Sequence, residues 1–244
     1  MRRIGLIGGM SWESTAVYYR RLNERTRDLL GGLESADIVM RSVNFAEIVA
    51  LQKAGKWDEA GAVLGAIARD LVGAGAEIVL ICTNTMHRIA DAVQDAIDVP
   101  LLHIADVTAS RVQETGCVRP LLLATRYTME EAFYRDRVAE RHKLDVIVPE
   151  SRDRETIHRI IFDELCRGII LPESRAAYLE AIERGKKAGA DGVILGCTEI
   201  GLLIDEDDVD LPVFDSTQLH ADAALAFALA PATSASIGVP ADKS

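Results

Sequence analysis

The sequence predicts an α/β protein made of two similar halves, each with a mainly parallel sheet flanked by helices. Short apolar runs of strand length alternate with segments of helical periodicity along most of the chain, which is typical of parallel sheets with covering helices. The spacing also repeats: 75 residues separate the strand ends at Gly8 and Thr83, and 73 separate those at Ala124 and Cys197. We therefore expect a duplicated α/β unit with a ligand site in the cleft between the halves, at the carboxyl ends of the strands.

The first half is predicted to contain four strands joined by helices. Ser11 is a good N-cap for the first helix, which Gly31 and Gly32 end. The predicted strands are 4–7, 38–43, 78–82 and 100–104, and the helices are about 11–30, 58–74 and 87–97. The second of these helices carries four apolar residues on one face, namely Val63, Leu64, Ile67 and Leu71.

The second half repeats this scheme. Its predicted strands are 120–124, 144–148, 192–196 and 212–214, and its helices are about 128–141, 153–166, 173–188 and 217–229. We expect residues 1–104 together with about 213–230 to form one α/β domain and residues 105–212 to form the other. The tail 231–244 is small, polar and proline-containing, and is expected to be disordered.

Composition and charge exclude several classes of function. The chain of 244 residues has a net charge of −11, which argues against nucleic acid as a partner. No apolar run reaches the length of a membrane span, and the amino terminus leads directly into a strand without a signal peptide. We therefore expect a cytoplasmic protein with free thiols. A metal site is not expected, because no CxxC spacing and no nearby histidine pair accompanies the four cysteines, Cys82, Cys117, Cys166 and Cys197.

Four strand-to-helix turns would face the cleft. They are Gly8-Gly9-Met10-Ser11, Cys82-Thr83-Asn84-Thr85, Ala124-Thr125-Arg126-Tyr127-Thr128 and Gly196-Cys197-Thr198-Glu199. Turns of this kind expose backbone N–H groups and hydroxyls, which suit a carboxylate. The expected substrate contacts are therefore Met10, Ser11, Asn84, Thr85, Thr125, Thr198 and Glu199. A dinucleotide is not expected, because the glycine turn lacks the GxGxxG spacing and Asp37 precedes its strand.

Cys197 is the one cysteine that stands in a turn built like an active site. A thiol at a strand end near a helix start is in a position to have a lowered pKa. A buried structural cysteine is the alternative, and the residues alone leave both readings open for Cys197. For Cys82, Cys117 and Cys166 the structural reading is favoured.

Three ordered motifs resemble those of the aspartate/glutamate racemase family. The glycine turn Gly8-Gly9-Met10, the segment Thr83-Asn84-Thr85-Met86-His87 and the segment Gly196-Cys197-Thr198-Glu199-Ile200 are similar to the family's glycine turn, CNTxH motif and GCTE motif. The order and spacing fit from residue 3 to about 229. The resemblance implies two pseudo-symmetric domains with the active site between them, usually in a homodimer. It also implies a two-base racemisation of an amino acid without pyridoxal phosphate or any other cofactor.

The sequence departs from the family pattern at the first base. Thr83 falls where the family has its first cysteine, and Cys82 comes one residue early. Since successive strand residues point to opposite faces, Cys82 cannot simply replace it. The pattern is similar to a subgroup with a Thr/Cys pair, in which racemisation acts mainly on one enantiomer. The resemblance thus implies Cys197 and Thr83 as the catalytic residues.

A second departure concerns the substrate's side chain. The resemblance implies an arginine after the second strand and a lysine near position 166, which grip a distal carboxylate. This chain has neither, and Gln52 is either a polar contact to the substrate or a solvated loop residue. L-Aspartate, L-glutamate and homoserine are the expected substrates.

His87 belongs to the second motif, where it either orients the loop or a water or serves only as a structural cap. His103, in a strand, and His220, in the last helix, are expected to be structural. Two other functions stay open. A single-cysteine relative could decarboxylate or isomerise small dicarboxylic acids, and a non-catalytic relative could only bind amino acids.

Overall fold

The computed structural model describes residues 1–231, which contain seven strands and ten α-helices. The strands are β1 (Ile4–Gly8), β2 (Ile38–Ser42), β3 (Ile78–Ile81), β4 (Leu101–Leu102), β5 (Pro120–Leu123), β6 (Gly192–Leu195) and β7 (Val213–Asp215). The helices are α1 (Trp12–Leu30), α2 (Phe45–Lys53), α3 (Trp57–Gly73), α4 (Ala90–Gln94), α5 (Ile104–Glu114), α6 (Arg126–Glu130), α7 (Ala132–His142), α8 (Ser151–Asp163), α9 (Pro172–Lys187) and α10 (Ser216–Leu229). Apart from Pro231, the tail predicted to be disordered lies outside the described residues.

Two parallel sheets confirm the predicted fold class. The first has the strand order β2-β1-β3-β4 and the second has the order β5-β6-β7. The segment after α7 adds a single bridge, from Ile147 to Leu121, at the free edge of β5. In both sheets, the segments therefore lie in the order second, first, third, fourth along the half, as the repeated spacing predicts.

Two helices pack across the halves. α5 follows the first sheet but packs on α7, with Ala109 and Val112 in the core of the second half. α10 follows the second sheet but packs on α1, with Ala224 and Leu225 in a core cluster that contains Leu6. The segment 213–230 is thus shared, because β7 belongs to the second sheet and α10 covers the first. The division into two domains stays a prediction.

Several predicted strands and helices differ from the observed ones. The strand predicted at 144–148 is wrong as a full strand, because only the single bridge forms before Pro149. The strand predicted at 100–104 is too long, since the His103 side chain accepts the Ala105 N–H and begins α5. The placement of His103 in a strand is wrong for the same reason. α2 and α5 have no counterpart in the prediction, and Val63 is 42 % exposed rather than part of the buried face of α3.

Two predicted helices are divided. Residues 128–141 form α6 and α7, which meet at Glu131 in an extended conformation, where its carboxylate pairs with Arg88 of the first half. Residues 87–97 form a 3-10 turn, Thr85–Ile89, followed by the short α4. In both places tertiary contacts override the helical periodicity. No helix within residues 1–231 is both long and apolar enough to span a membrane.

Candidate active site

A cavity lies between the halves at the carboxyl ends of β1, β3, β5 and β6. Within the described part of the chain, it is lined by Met10, Phe45, Gln52, Thr83, Thr85, Thr125, Ile161, Phe162, Cys166, Cys197 and Glu199. Seven of these were predicted from the turns, the motifs and the departures from them. Phe45, Ile161 and Phe162 were not, since α2 was missed and the end of α8 carries no motif. Position 166 was expected near the substrate side chain from the resemblance, but Cys166 itself was expected to be structural.

The glycine before Cys197 places the thiol at the cavity. Gly196 donates its N–H to the Leu123 carbonyl at 2.7 Å, and a Cβ at this position would lie 2.6 Å from Leu122 Cδ1. A larger residue here would require the buried Leu122 side chain to move, so glycine lets this strand end stay against β5 without rearrangement. Cys197 is the next residue, and the chain then enters a short 3-10 turn at Ile200–Leu202.

The Cys197 thiol is buried and donates to Glu199 Oε2 at 3.0 Å. Burial raises the pKa of the Cys197 thiol well above its ordinary value, and the negative charge of Glu199 raises it further. The sequence argument for a lowered pKa is therefore wrong. A short 3-10 turn follows Cys197, and the dominant effects are burial and a neighbouring carboxylate.

Glu199 is the centre of the polar network in the cavity. Its Oε2 accepts hydrogen bonds from Cys197 and, at 2.6 Å, from Thr198 Oγ1. Its Oε1 accepts a hydrogen bond from the Ser11 hydroxyl, in the opposite half, and faces Cys166 Sγ at 3.8 Å. Four donors thus converge on one buried carboxylate. Glu199, Ser11 and Thr198, all predicted as substrate contacts, are bonded to one another here.

Thr83 and Cys82 lie in different surroundings. Thr83 is partly exposed and lines the cavity. Cys82 is fully buried in a core cluster with Leu80 and Tyr18, and burial alone raises its pKa. Both residues follow β3, which ends at Ile81, and the turn there directs Cys82 into the core and Thr83 to the cavity.

His87 holds the Thr83 loop. Its Nδ1 lies 2.8 Å from the Thr83 carbonyl, and its Nε2 accepts the Ile104 N–H at 3.2 Å. Because a carbonyl can only accept, the proton sits on Nδ1 and the ring is neutral. Burial lowers the pKa of His87 to about 4. His87 thus connects Thr83 to the start of α5.

The other two core histidines have structural contacts. His103 caps α5, and His220 bonds the Tyr18 hydroxyl at 2.8 Å and the Leu102 carbonyl at 2.9 Å. Within residues 1–231, no group of three or more histidine, cysteine or acidic side chains could hold a metal ion.

Three threonine hydroxyls join the halves across the cavity. Thr85 Oγ1 lies 2.9 Å from Thr125 Oγ1 and 3.3 Å from Thr128 Oγ1, and all three residues are buried. Thr128 is in the third predicted turn but was not singled out. Asn84, a predicted contact, instead donates to Ser216 Oγ at 3.0 Å and does not belong to the described lining of the cavity.

Comparison with known proteins gives consistent matches. The model of the Asp/Glu/hydantoin racemase family matches residues 7–224. A crystal structure of a candidate Asp/Glu racemase from Yersinia pestis is 50% identical, with a TM-score of 0.88 over 94% of this chain and 100% of that one. The structure of an aspartate racemase homologue from Pyrococcus horikoshii is 35% identical, with a TM-score of 0.82 over 93% and 99%. The broad-specificity amino-acid racemase RacX of Bacillus subtilis is 21% identical over 88% of this chain and 92% of its own length.

Proposed function

The chain belongs to the Asp/Glu/hydantoin racemase family, and from that premise we propose that it is a cofactor-independent racemase of acidic or short polar amino acids. L-Aspartate, L-glutamate and L-homoserine are the candidate substrates. The observation that carries the proposal is that Cys197 and Thr83, on opposite halves, line the same cavity. The homodimer and the cytoplasmic location stay predictions.

Cys197 acts as the base on one face of the substrate. As the substrate binds, the thiol proton moves to Glu199 Oε2, to which it is already hydrogen-bonded, and the thiolate removes the α-proton. Thr83 serves the other face, where its hydroxyl, through water, delivers a proton to the planar carbanion. Glu199 then returns its proton to solvent, and the Thr83 oxygen recovers one. A threonine hydroxyl is a much weaker base than a thiolate, so kcat and KM are each expected to differ between the two enantiomers. Their kcat/KM values stay equal, because the equilibrium constant of a racemisation is 1.

The substrate's α-carboxylate is held by hydroxyls. Thr85 and Thr125 line the cavity, and each can turn its hydroxyl from its threonine neighbours toward a bound carboxylate. Glu199 is assigned to Cys197 rather than to the substrate, because its oxygens already accept from four donors. Thr198 and Ser11 orient Glu199. Met10 packs beside them as part of the wall.

The proposal is tested by following the α-proton by NMR in D2O with a panel of L- and D-amino acids. Exchange of the α-proton with accumulation of the opposite enantiomer is expected, and Cys197→Ser should lower its rate by several orders of magnitude while the circular dichroism spectrum stays unchanged. Release of CO2 from malonates, without exchange of amino acids, would instead establish a decarboxylase. Binding of amino acids without exchange would establish a binding protein.

A further inference from the structure

Gln52 places an unsatisfied hydrogen-bond acceptor in the wall of the catalytic cavity. It projects from α2, and only 6 % of it is exposed. Its Nε2 lies 3.1 Å from Met86 Sδ. Its Oε1 is buried without a hydrogen-bond partner among the described residues. Leaving such an acceptor unpaired costs about 1–3 kcal/mol, so a ligand that carries a donor gains by pairing with it.

Met86 fixes which end of the amide is free. A thioether sulfur has no proton and can only accept, so the amide places its N–H toward the sulfur. The opposite orientation would put the amide oxygen against the sulfur lone pairs. Met86 is fully buried and cannot turn away into solvent. The amide oxygen is therefore the atom that remains for a ligand.

The surroundings of Gln52 suit an uncharged side chain. Phe45 and Phe162 stack nearby, with ring centroids 6.5 Å apart and planes 17° from parallel. Neither arginine nor lysine is among the residues described as lining the cavity, and the one carboxylate there is Glu199. Within the catalytic cavity, a carboxylate on the substrate would meet an acceptor oxygen and two apolar rings, without a cation to offset its desolvation. Lys53 and Arg159 line a separate pocket that shares Gln52 and Phe162 but not Cys197 or Thr83.

We propose that Gln52 selects substrates whose side chain is uncharged and ends in a hydrogen-bond donor, a primary amide or a hydroxyl, over the dicarboxylic amino acids. This inference rests on the proposed racemase function and narrows its substrate class. Gln52 Oε1 accepts the donor of the substrate side chain, and Met86 acts through Gln52 by holding its amide in place.

The test compares substrates of nearly equal shape. We measure kcat/KM for α-proton exchange in D2O with L-glutamine against L-glutamate, and L-asparagine against L-aspartate, with L-homoserine and L-alanine alongside. The native protein should favour each amide over its acid at least tenfold. Gln52→Met should lower the value for the amides about tenfold more than it lowers the value for L-alanine. Met86→Leu, which frees the amide to turn, should narrow the amide-to-acid ratio.

Gln94 provides a matched control. Its amide is satisfied, with Nε2 bonded to the Val99 carbonyl at 3.1 Å and Oε1 accepting the Leu101 N–H at 2.8 Å. Gln94→Met should therefore leave the amide-to-acid ratio of the native protein unchanged. Exchange that favours the acids, or an unchanged ratio in Gln52→Met, would overturn the role of Gln52 while leaving the racemase proposal intact. Absence of exchange with every amino acid would instead overturn the racemase proposal itself.

Discussion

Replacing Glu199 by glutamine tests whether this carboxylate is the base that takes the Cys197 proton. Glutamine keeps the size of the side chain but removes the charge and turns one acceptor oxygen into a donor. In the native cavity the Cys197 thiol donates to Glu199 Oε2 at 3.0 Å. If the thiol lost its proton to solvent, a thiolate would stand beside a carboxylate. At that distance and an effective dielectric constant of about 20, their repulsion amounts to roughly 5 kcal/mol.

Direct transfer from Cys197 to Glu199 avoids that repulsion, because it leaves a thiolate beside a neutral acid. Glu199→Gln removes this route, and we expect kcat to fall by about 10²- to 10⁴-fold, the range of general acid–base catalysis. The same change should lower the pKa of Cys197 relative to the native protein, since the charge of Glu199 helps to raise it. The variant should therefore turn over more slowly although its thiol is easier to ionise.

The assay is made on a Cys166→Ser background, because Cys166 is the more exposed thiol of the same cavity. It combines kcat, from circular dichroism of the racemising substrate, with the rate at which a small alkylating reagent labels Cys197, read by peptide mass spectrometry. Glu164→Gln is the control. Glu164 is also buried, and its carboxylate bonds Ser174 and Arg159 instead of a cavity thiol. This control should keep kcat within about threefold. A Glu199→Gln variant with near-native kcat, or one in which labelling slows together with turnover, would refute the assignment of Glu199 as the base.

Three other predictions concern the neighbouring residues. Thr83→Ala should abolish most turnover and Cys82→Ala should cost little activity, while Thr83→Cys should make the rates on L and D substrates more equal. A larger loss in Cys82→Ala than in Thr83→Ala, measured in steady-state assays, would make Cys82 the second base. Lowering the pH from 7 to 5 should reduce the free energy of unfolding by roughly 2 kcal/mol for each of His87 and His220, whose pKa values fall on burial to about 4 and about 3. The reason is that the unfolded chain binds these protons from about pH 6.5 downward and the folded chain does not. Equal urea midpoints at pH 7 and pH 5, or a His87→Asn variant whose stability falls as much with acid as that of the native protein, would contradict this prediction. An alkylating reagent should modify Cys166 first, because it is half-buried whereas the other three cysteines are buried, and the modification should inactivate the enzyme by filling the cavity. A Cys166→Ser variant should resist this inactivation. An enzyme that stays active with Cys166 labelled would exclude this residue from the substrate's path.

The sequence predicts the part of the site that depends on strand ends. Thr83, Thr125 and Cys197 follow β3, β5 and β6, and the carboxyl ends of parallel strands meet at one edge of a sheet. The two-residue period of a strand predicts that Cys82 and Thr83 point apart, and they do, although both lie in the turn just after β3. These inferences need only local patterns and the topology of the fold.

The rest of the candidate site depends on tertiary packing, which no local sequence pattern encodes. Phe162 reaches the cavity from the end of α8, and Cys166 reaches it from the 3-10 turn Leu165–Arg167 that follows. The apolar periodicity of α8 explains only its buried face. The raised pKa of Cys197 needs the position of the Glu199 carboxylate, two residues along the chain but folded back onto the thiol. Asn84 was expected at the substrate because its motif is there, yet its side chain bonds Ser216.

The exchange of α5 and α10 between the halves determines when the protein can fold as it is synthesised. The sheet that begins at residue 4 is covered by α10, which ends at Leu229. While the ribosome is still making the second half, Leu6 and its neighbours have no partner for the face that Ala224 and Leu225 cover. The amino-terminal half therefore cannot complete its core first, although domains usually fold in the order of synthesis. A nascent chain stopped before residue 216 keeps an apolar face open beside the strand that carries the glycine turn.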